Sequence, residues 1–208
     1  ASIIWRFVQM GTEYDKRKAM EVFPKLMAYH RWFINARDPD GRGIISIIHP
    51  WESGRDNCPD WDFGMRNIAI PSNLERYTRR DTRHVDSNQR PTQEQYDRFI
   101  TIVNFGRECN WDSQTIYDNG PFLMADPGVQ FIFLRSSRDL LAMAHHLEMD
   151  LAIDEIKGWV AQVEAGSDFL WNDLVRGYCA RDLRTGHFSD AITNASTLCF
   201  FADVGSPG

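Results

Sequence analysis

Residues 49–62 read HPWESGRDNCPDWD, and this stretch of fourteen holds four carboxylates, one guanidinium and two indoles. Pro50, Gly54 and Pro59 break any regular helix or central strand across it, so the segment is predicted to be a loop. Charge and aromatic area concentrated in irregular backbone mark a place where a rigid frame can aim groups at a ligand. The mixture suits sugar chemistry. Indole faces stack on pyranose C–H faces, carboxylates and amides bond the hydroxyls, and a carboxyl kept protonated gives its proton to the glycosidic oxygen. Asp56 is the candidate acid, set just after Gly54 between Arg55 and Asn57, with Trp51 and Trp61 near in sequence to limit water. Trp51, Glu52, Arg55 and Asn57 are the accompanying candidates for holding a sugar. The plain alternative is that Glu52, Asp56 and Asp60 cap turns or pair with Arg55, as Asx turns routinely do.

A second candidate group lies at RPTQEQY, residues 90–96. Thr92 with Gln95 forms a capping box, and Tyr96, Phe99, Ile100 and Val103 give the face of the helix it opens. Free N–H groups at that helix start, with Arg90 just upstream and Tyr96 in the first turns, could receive a carboxylate. Alternatively Arg90 pairs with Asp86 or Asp97 and Tyr96 is ordinary core.

The elements that would position these groups are mostly helical. Thr12 to Asn35 has a helical stripe of Phe23, Met27, His30 and Ile34, interrupted by Pro24, which predicts a kink or a second helix starting there. His30 on that stripe is a core histidine. A turn over residues 37–43 leads to Ile44–Ile48, a short β-branched run that anchors the acidic loop to the core. Past Asp62 the chain is irregular up to Arg90, and the basic run Arg76 to Arg83 is a solvated face or a substrate-side loop. Residues 112–125 read as loop with a turn at Asn119-Gly120-Pro121. Asp126-Pro127 caps and opens a long helix through about Met149. Another helix follows over Leu151 to about Leu174, with a possible break at Gly166-Ser167. Residues 176–187 are a polar turn, Ser189–Phe201 is a short apolar helix, and Gly205–Gly208 is unstructured. The fold class is therefore all-α.

The motifs HPWESGRDNCPDWD, RDPDGRGI upstream, QRPTQEQYDRF and MADPGVQFIFLRSSRDLLAMA together closely resemble glycoside hydrolase family 63, and within it the glucosylglycerate and mannosylglycerate hydrolases. The ESGRD core is also similar to the ESGWD of trehalases. The resemblance runs over nearly all of the 208 residues, with Cys58 standing where Ser is expected. It implies an inverting mechanism with Asp56 as general acid, and residues matching Arg90 and Tyr96 on the carboxylate of a glycerate aglycone. It also implies an (α/α)6 toroid, whose six hairpins need roughly 300 residues or more. The expectation is one incomplete catalytic domain over 1–208, an open half-barrel lacking N-terminal and C-terminal hairpins, with apolar helix faces unpaired at both ends. In the family the general base is a Glu of the C-terminal part, beyond this stretch, so the chain alone is expected to be inactive. A related glucosidase or oligosaccharide hydrolase, a non-catalytic toroid that binds carbohydrate, and a plain scaffold remain open readings.

Composition narrows the partners. A net charge of −6 argues against nucleic acid, because phosphate binding needs a basic surface. No apolar run approaches the roughly 20 residues of a membrane span, and the first residues, ASIIWRFVQM, carry no signal-peptide pattern. Ala1 in place of an initiator Met suggests a start inside a longer gene product. The four cysteines, 58, 109, 179 and 199, form no ligand pattern and point to free thiols in a reducing, cytoplasmic compartment. No cofactor and no metal are expected, the latter because the adjacent His145 and His146 diverge by about 100° on a helix. The partner is a small glycoside with an acidic aglycone, glycerate, and nothing in the sequence fixes an oligomeric state.

Overall fold

Local capping signals set the helix starts at Glu13, Gln93, Ser113 and Pro127 in the computed structural model, which describes residues 1–205. After α1 (Ser2–Met10), the Thr12 N–H and hydroxyl donate to Asp15 at 2.6 and 2.9 Å and open α2 (Glu13–Arg37). Helix α2 runs through Pro24 without restarting. Pro24 lies on the exposed side, where water can take the carbonyl that its missing N–H leaves free. The buried stripe Phe23, Met27 and His30 is the one the periodicity marks. His30 is a core residue, bonded to the Leu26 carbonyl and the Ser136 hydroxyl and stacked on Trp159.

Short strands join the helical layers. Strand β1 (Ser46–Ile47) pairs antiparallel with β2 (Met124–Ala125), which pairs in turn with β5 (Arg181–Asp182); β3 (Trp171–Asn172) and β4 (Gly177–Tyr178) form a separate hairpin. Only the Ile44–Ile48 run announces itself in sequence, and its middle is the part that pairs. Gln130, fully buried, ties this sheet to the helices: its amide donates to the Gly43 and Val163 carbonyls and accepts from the Ile45 N–H, all at 2.8 Å.

The capping box at Thr92 opens α4 (Gln93–Glu108), with the Thr92 hydroxyl accepting from Gln95 N–H and the Gln95 side chain accepting from Thr92 N–H. Its fully buried residues are Phe99, Ile102 and Gly106, while Tyr96, Ile100 and Val103 are half-buried. Asp126 caps α6 (Pro127–His146), accepting from the N–H groups of Gly128 and Val129. Helix α6 is the hub, with Phe131, Leu134, Leu140, Met143 and Ala144 wholly inaccessible.

Five expectations need correction. Residues 62–66 form α3 (Asp62–Arg66), which the irregular reading past Asp62 omits. Residues 113–119 form α5 (Ser113–Asn119), because Asp112 caps Thr115 N–H at 2.8 Å. Helix α7 (Asp150–Gly166) stops eight residues before Leu174, and the chain passes through a 3-10 turn, Ser167–Leu170, into β3. Gly166 packs directly on the Gly43 carbonyl there, with no room for a side chain. The polar turn at 176–187 contains β4 and β5, and the last helix, α8 (Leu198–Phe201), is shorter than expected and preceded by a 3-10 turn. The unstructured tail falls, past Gly205, outside the described residues.

Exposed apolar residues stand on α1 (Ile3, Phe7, Met10) and on α8 (Phe200, Phe201). Among the described residues no helix is long and apolar enough to cross a membrane.

Candidate active site

The loop after β1 is built by its own side chains. His49 begins it: its Nδ1 accepts from Trp51 N–H at 3.0 Å and its Nε2 donates to the Phe99 carbonyl on α4 at 3.1 Å. That pattern requires the neutral Nε2–H tautomer. Burial lowers its pKa to about 4, against the pull of the Phe99 carbonyl and of Asp56. Pro50–Ser53 then makes a 3-10 turn that ends on Gly54, whose φ of +69° disfavours any side chain. Glu52 closes this turn back on the scaffold, with Oε1 paired to Arg37 at 2.5 Å and Oε2 accepting from Ile48 N–H at 2.9 Å.

Arg55 points inward. Its Nη2 is 2.7 Å from Asp126 Oδ1 and its Nη1 is 3.2 Å from Asp60 Oδ2, and both carboxylates are essentially inaccessible. Nη1 also reaches Thr193 Oγ1, and the guanidinium lies 5.2 Å from the centre of the Trp61 ring. Nε has no partner. Burial opposes the charge on Arg55, but Asp126 and Asp60 outweigh it and raise its pKa. Asp126 stands above the ordinary carboxylate range because of burial, with Arg55 and the backbone of Gly128 and Val129 pulling the other way. One guanidinium thus locks the loop to the start of α6 and, through Thr193, to the C-terminal segment. For Asp60 the turn-and-pair alternative holds. Cys58 donates its thiol to Asp60 Oδ2 at 2.6 Å, the bond a Ser hydroxyl would make in its place. Burial first, then Asp60, pushes that thiol's pKa up.

Asp56, next in the chain, faces the other way. Its side chain is 29% exposed and lines a cavity of about 170 Å³ with Asn57, Asp62, Gln95 and Phe99 among the other walls. Ligand pockets commonly span about 300–1,000 Å³, so this concavity by itself is smaller than a typical ligand enclosure. Beneath it lie the buried side chains of Trp61, Met65, Phe99, Phe122 and Met124. Asn57 donates to the Gln89 carbonyl at 3.1 Å, tying the loop to the segment that carries Arg90. Arg90 Nη2 is 3.4 Å from Asp56 Oδ2, and its Nε is 3.3 Å from Asp81 Oδ2. Neither Asp86 nor Asp97 holds it: Asp86 caps Asn88 N–H, and Asp97 takes the Tyr77 hydroxyl.

Trp51 and Tyr96 make an aromatic patch beside this group. Their ring centroids are 6.1 Å apart, Trp51 is 42% exposed, and Tyr96 is stacked on Tyr77 and covered by Arg79 at 4.5 Å. Trp51 lines a separate, apolar cavity of about 410 Å³ with His49, Phe105 and Trp111. Trp61, by contrast, is wholly buried and packs under the loop, its Nε1 donating to the Arg55 carbonyl. The structure therefore brings Asp56, Asn57 and Arg90 together, sets Trp51 and Tyr96 against each other and against Phe99, which also lines the Asp56 cavity, and directs Glu52 and Arg55 into the scaffold. Sequence reasoning misses Asp81, which sits inside the basic run and pairs with Arg90, and Arg79, which grips Asp81. Arg79 donates to both Asp81 oxygens, at 3.1 and 2.7 Å, and to the Pro91 carbonyl. The acid among those arginines is the only signal that could have found them.

The chain is similar to known proteins. The chain is 40% identical over 193 residues to mannosylglycerate hydrolase of Thermus thermophilus, covering 93% of this chain and 46% of the relative. It is 38% identical over 188 residues to the mannosylglycerate hydrolase MGH1 of Selaginella moellendorffii, covering 90% of this chain and 38% of that protein. The crystal structure of the family 63 mannosylglycerate hydrolase from a second strain of Thermus thermophilus, in complex with Tris and D-glycerate, superposes with a TM-score of 0.93 at 36% identity, covering 99% of this chain and 50% of that one. The same enzyme in complex with glucose matches with a TM-score of 0.91. The chain thus spans about half the length of the relatives it matches, and its fold is a partial α/α toroid. The family described as mannosylglycerate hydrolase MGH1-like glycoside hydrolase domain matches over residues 1–207, and this chain belongs to it.

Proposed function

We propose that this chain is the proton-donor part of an inverting glycoside hydrolase that cleaves mannosylglycerate or glucosylglycerate to a hexose and glycerate. The observation that carries the reading is the 3.4 Å approach of Arg90 to Asp56 on a cavity wall. Glycerate has three carbons, so its carboxylate and any glycosidic oxygen on it lie only a few bonds apart. A proton donor and a guanidinium this close match those two ends of one aglycone.

In this reading Asp56 protonates the departing glycosidic oxygen, and Arg90, with Tyr96 beside it, holds the carboxylate. The exposed Trp51 offers an indole face to the sugar, and Asn57 offers an amide oxygen. Glu52 and Arg55 act on substrate through the loop they fasten. The water that attacks the opposite face needs a base about 6.5–9.5 Å from the acid. That base comes from the half of the catalytic domain that this chain does not share with its relatives, and 1–208 is one incomplete domain of the toroid.

The test is hexose release followed by ¹H NMR, with the gene-length protein acting on both glycosylglycerates and on their methyl esters. The acids release hexose of the opposite anomeric configuration, the esters react poorly, and this chain alone releases none. Release with retained configuration refutes the mechanism, and equal reaction of acid and ester removes the carboxylate site.

A further inference from the structure

Arg90 divides its nitrogens between two carboxylates that are not equivalent. Asp81 takes Arg90 Nε and is also gripped by Arg79 through two nitrogens, whose bonds, first among the causes, hold its carboxyl at about 2. Among the described residues Asp56 has only the 3.4 Å contact with Arg90 Nη2 as a cationic partner, and its loop is set by other residues. The cluster of Asp56, Asp81, Arg79 and Arg90 balances two negative charges against two positive ones. A third carboxylate arriving at Arg90 leaves it one charge too negative, and a two-pronged grip through Nη1 and Nη2, the nitrogens not bonded to Asp81, uses the one that Asp56 occupies.

Resting on the reading that the aglycone is anionic, we propose that the aglycone carboxylate and Asp56 compete for Arg90, so that substrate binding displaces Asp56 and transfers one proton from solvent to it. That proton is the one later delivered to the glycosidic oxygen. A glycoside without a carboxylate leaves Asp56 paired with Arg90 and unready to donate, so the guanidinium selects substrates by preparing the acid as well as by binding.

The other titratable groups around Asp56 are poor takers for the proton. Asp81 is held ionised by Arg79. His49, under the loop, is buried and titrates only near 4. The Cys58 thiol on the same cavity wall has its pKa raised by burial and already carries its proton. Asp62 shares that wall, but the arriving carboxylate does not compete for any cation that Asp62 holds among the described residues.

The test is calorimetric titration of D-glycerate into this chain at about pH 6, in two buffers of different protonation heat. Wild type takes up protons on binding. Asp56→Asn binds without uptake and about threefold to tenfold tighter, the scale of losing one half-exposed ion-pair competitor. Unchanged or weaker binding by a folded Asp56→Asn overturns the proposal, as does binding to wild type without proton uptake. If Asp56→Asn does not fold, wild-type uptake alone decides. Glycerate that binds wild type and is lost in Arg90→Ala, with no uptake, leaves the carboxylate site standing while the competition falls. No binding to wild type refutes both.

Discussion

Replacing Arg55 with Met keeps most of the side-chain volume but strands two carboxylates. Asp126 and Asp60 are 0% and 1% exposed, and Arg55 reaches them at 2.7 and 3.2 Å. Asp126 retains the Gly128 and Val129 N–H groups, and Asp60 retains the Cys58 thiol and the Thr193 hydroxyl, but neither keeps a cation. Removing one member of such a buried group costs about 3–5 kcal/mol, against about 0–1 kcal/mol for an exposed pair. Urea denaturation followed by tryptophan fluorescence measures the difference. The pH dependence carries a sign. Burial already lifts Asp126 above the ordinary carboxylate range, and loss of Arg55 lifts it further. A raised carboxyl has its full stability below the unfolded value and loses it as pH rises through the folded value, because the folded state holds the extra proton in that window. The deficit of Arg55→Met therefore narrows as pH is lowered from about 7 toward about 4. A deficit below about 1 kcal/mol, or one that widens on acidification, refutes the lock.

Three further outcomes follow from the same geometry. His49 is held neutral, with its pKa lowered from 6.5 to about 4, so the unfolded chain binds its proton first and stability falls as pH drops through that window. The loss amounts to roughly 3 kcal/mol, and a His49→Gln variant should flatten that part of the pH profile in thermal denaturation. Gly43 has φ of +71° and packs against the Gln162 carbonyl, so Gly43→Ala should cost about 2 kcal/mol or more in the same urea assay, with Gly54→Ala, which meets nothing, costing less. Arg90→Ala should weaken D-glycerate binding by about tenfold or more in a titration while leaving the melting temperature within a few degrees, since Arg90 lies outside the core.

Signals that act over a few residues were legible in the sequence. Thr92 with Gln95 and Asp126 with Pro127 both cap helices where their spacing says they should, and the Ile44–Ile48 run contains a strand. The acid loop was legible as a loop for the same reason, since Pro50, Gly54 and Pro59 act on their own backbone. Long-range pairings were not. Nothing near Arg55 says that its partners are Asp126, 71 positions on, and Thr193, 138 on, so a residue read as a sugar contact proves to be a clamp. Asp81 is invisible among arginines until the chain brings it behind Arg90. Two-residue strands such as β2 and β5 exist only because β1 and β5 reach the two edges of β2 across the fold, and α7 ends where Gly166 meets the Gly43 backbone, a contact no local pattern records.

The proposal that Asp56 is the proton donor is tested most directly by comparing two leaving groups in the gene-length protein. Asp56→Asn should lower turnover of mannosylglycerate by about 10²–10⁴-fold, yet leave hydrolysis of a dinitrophenyl glycoside, whose leaving group needs no proton, nearly intact. Equal loss on both substrates, or unchanged turnover of mannosylglycerate, would contradict the assignment.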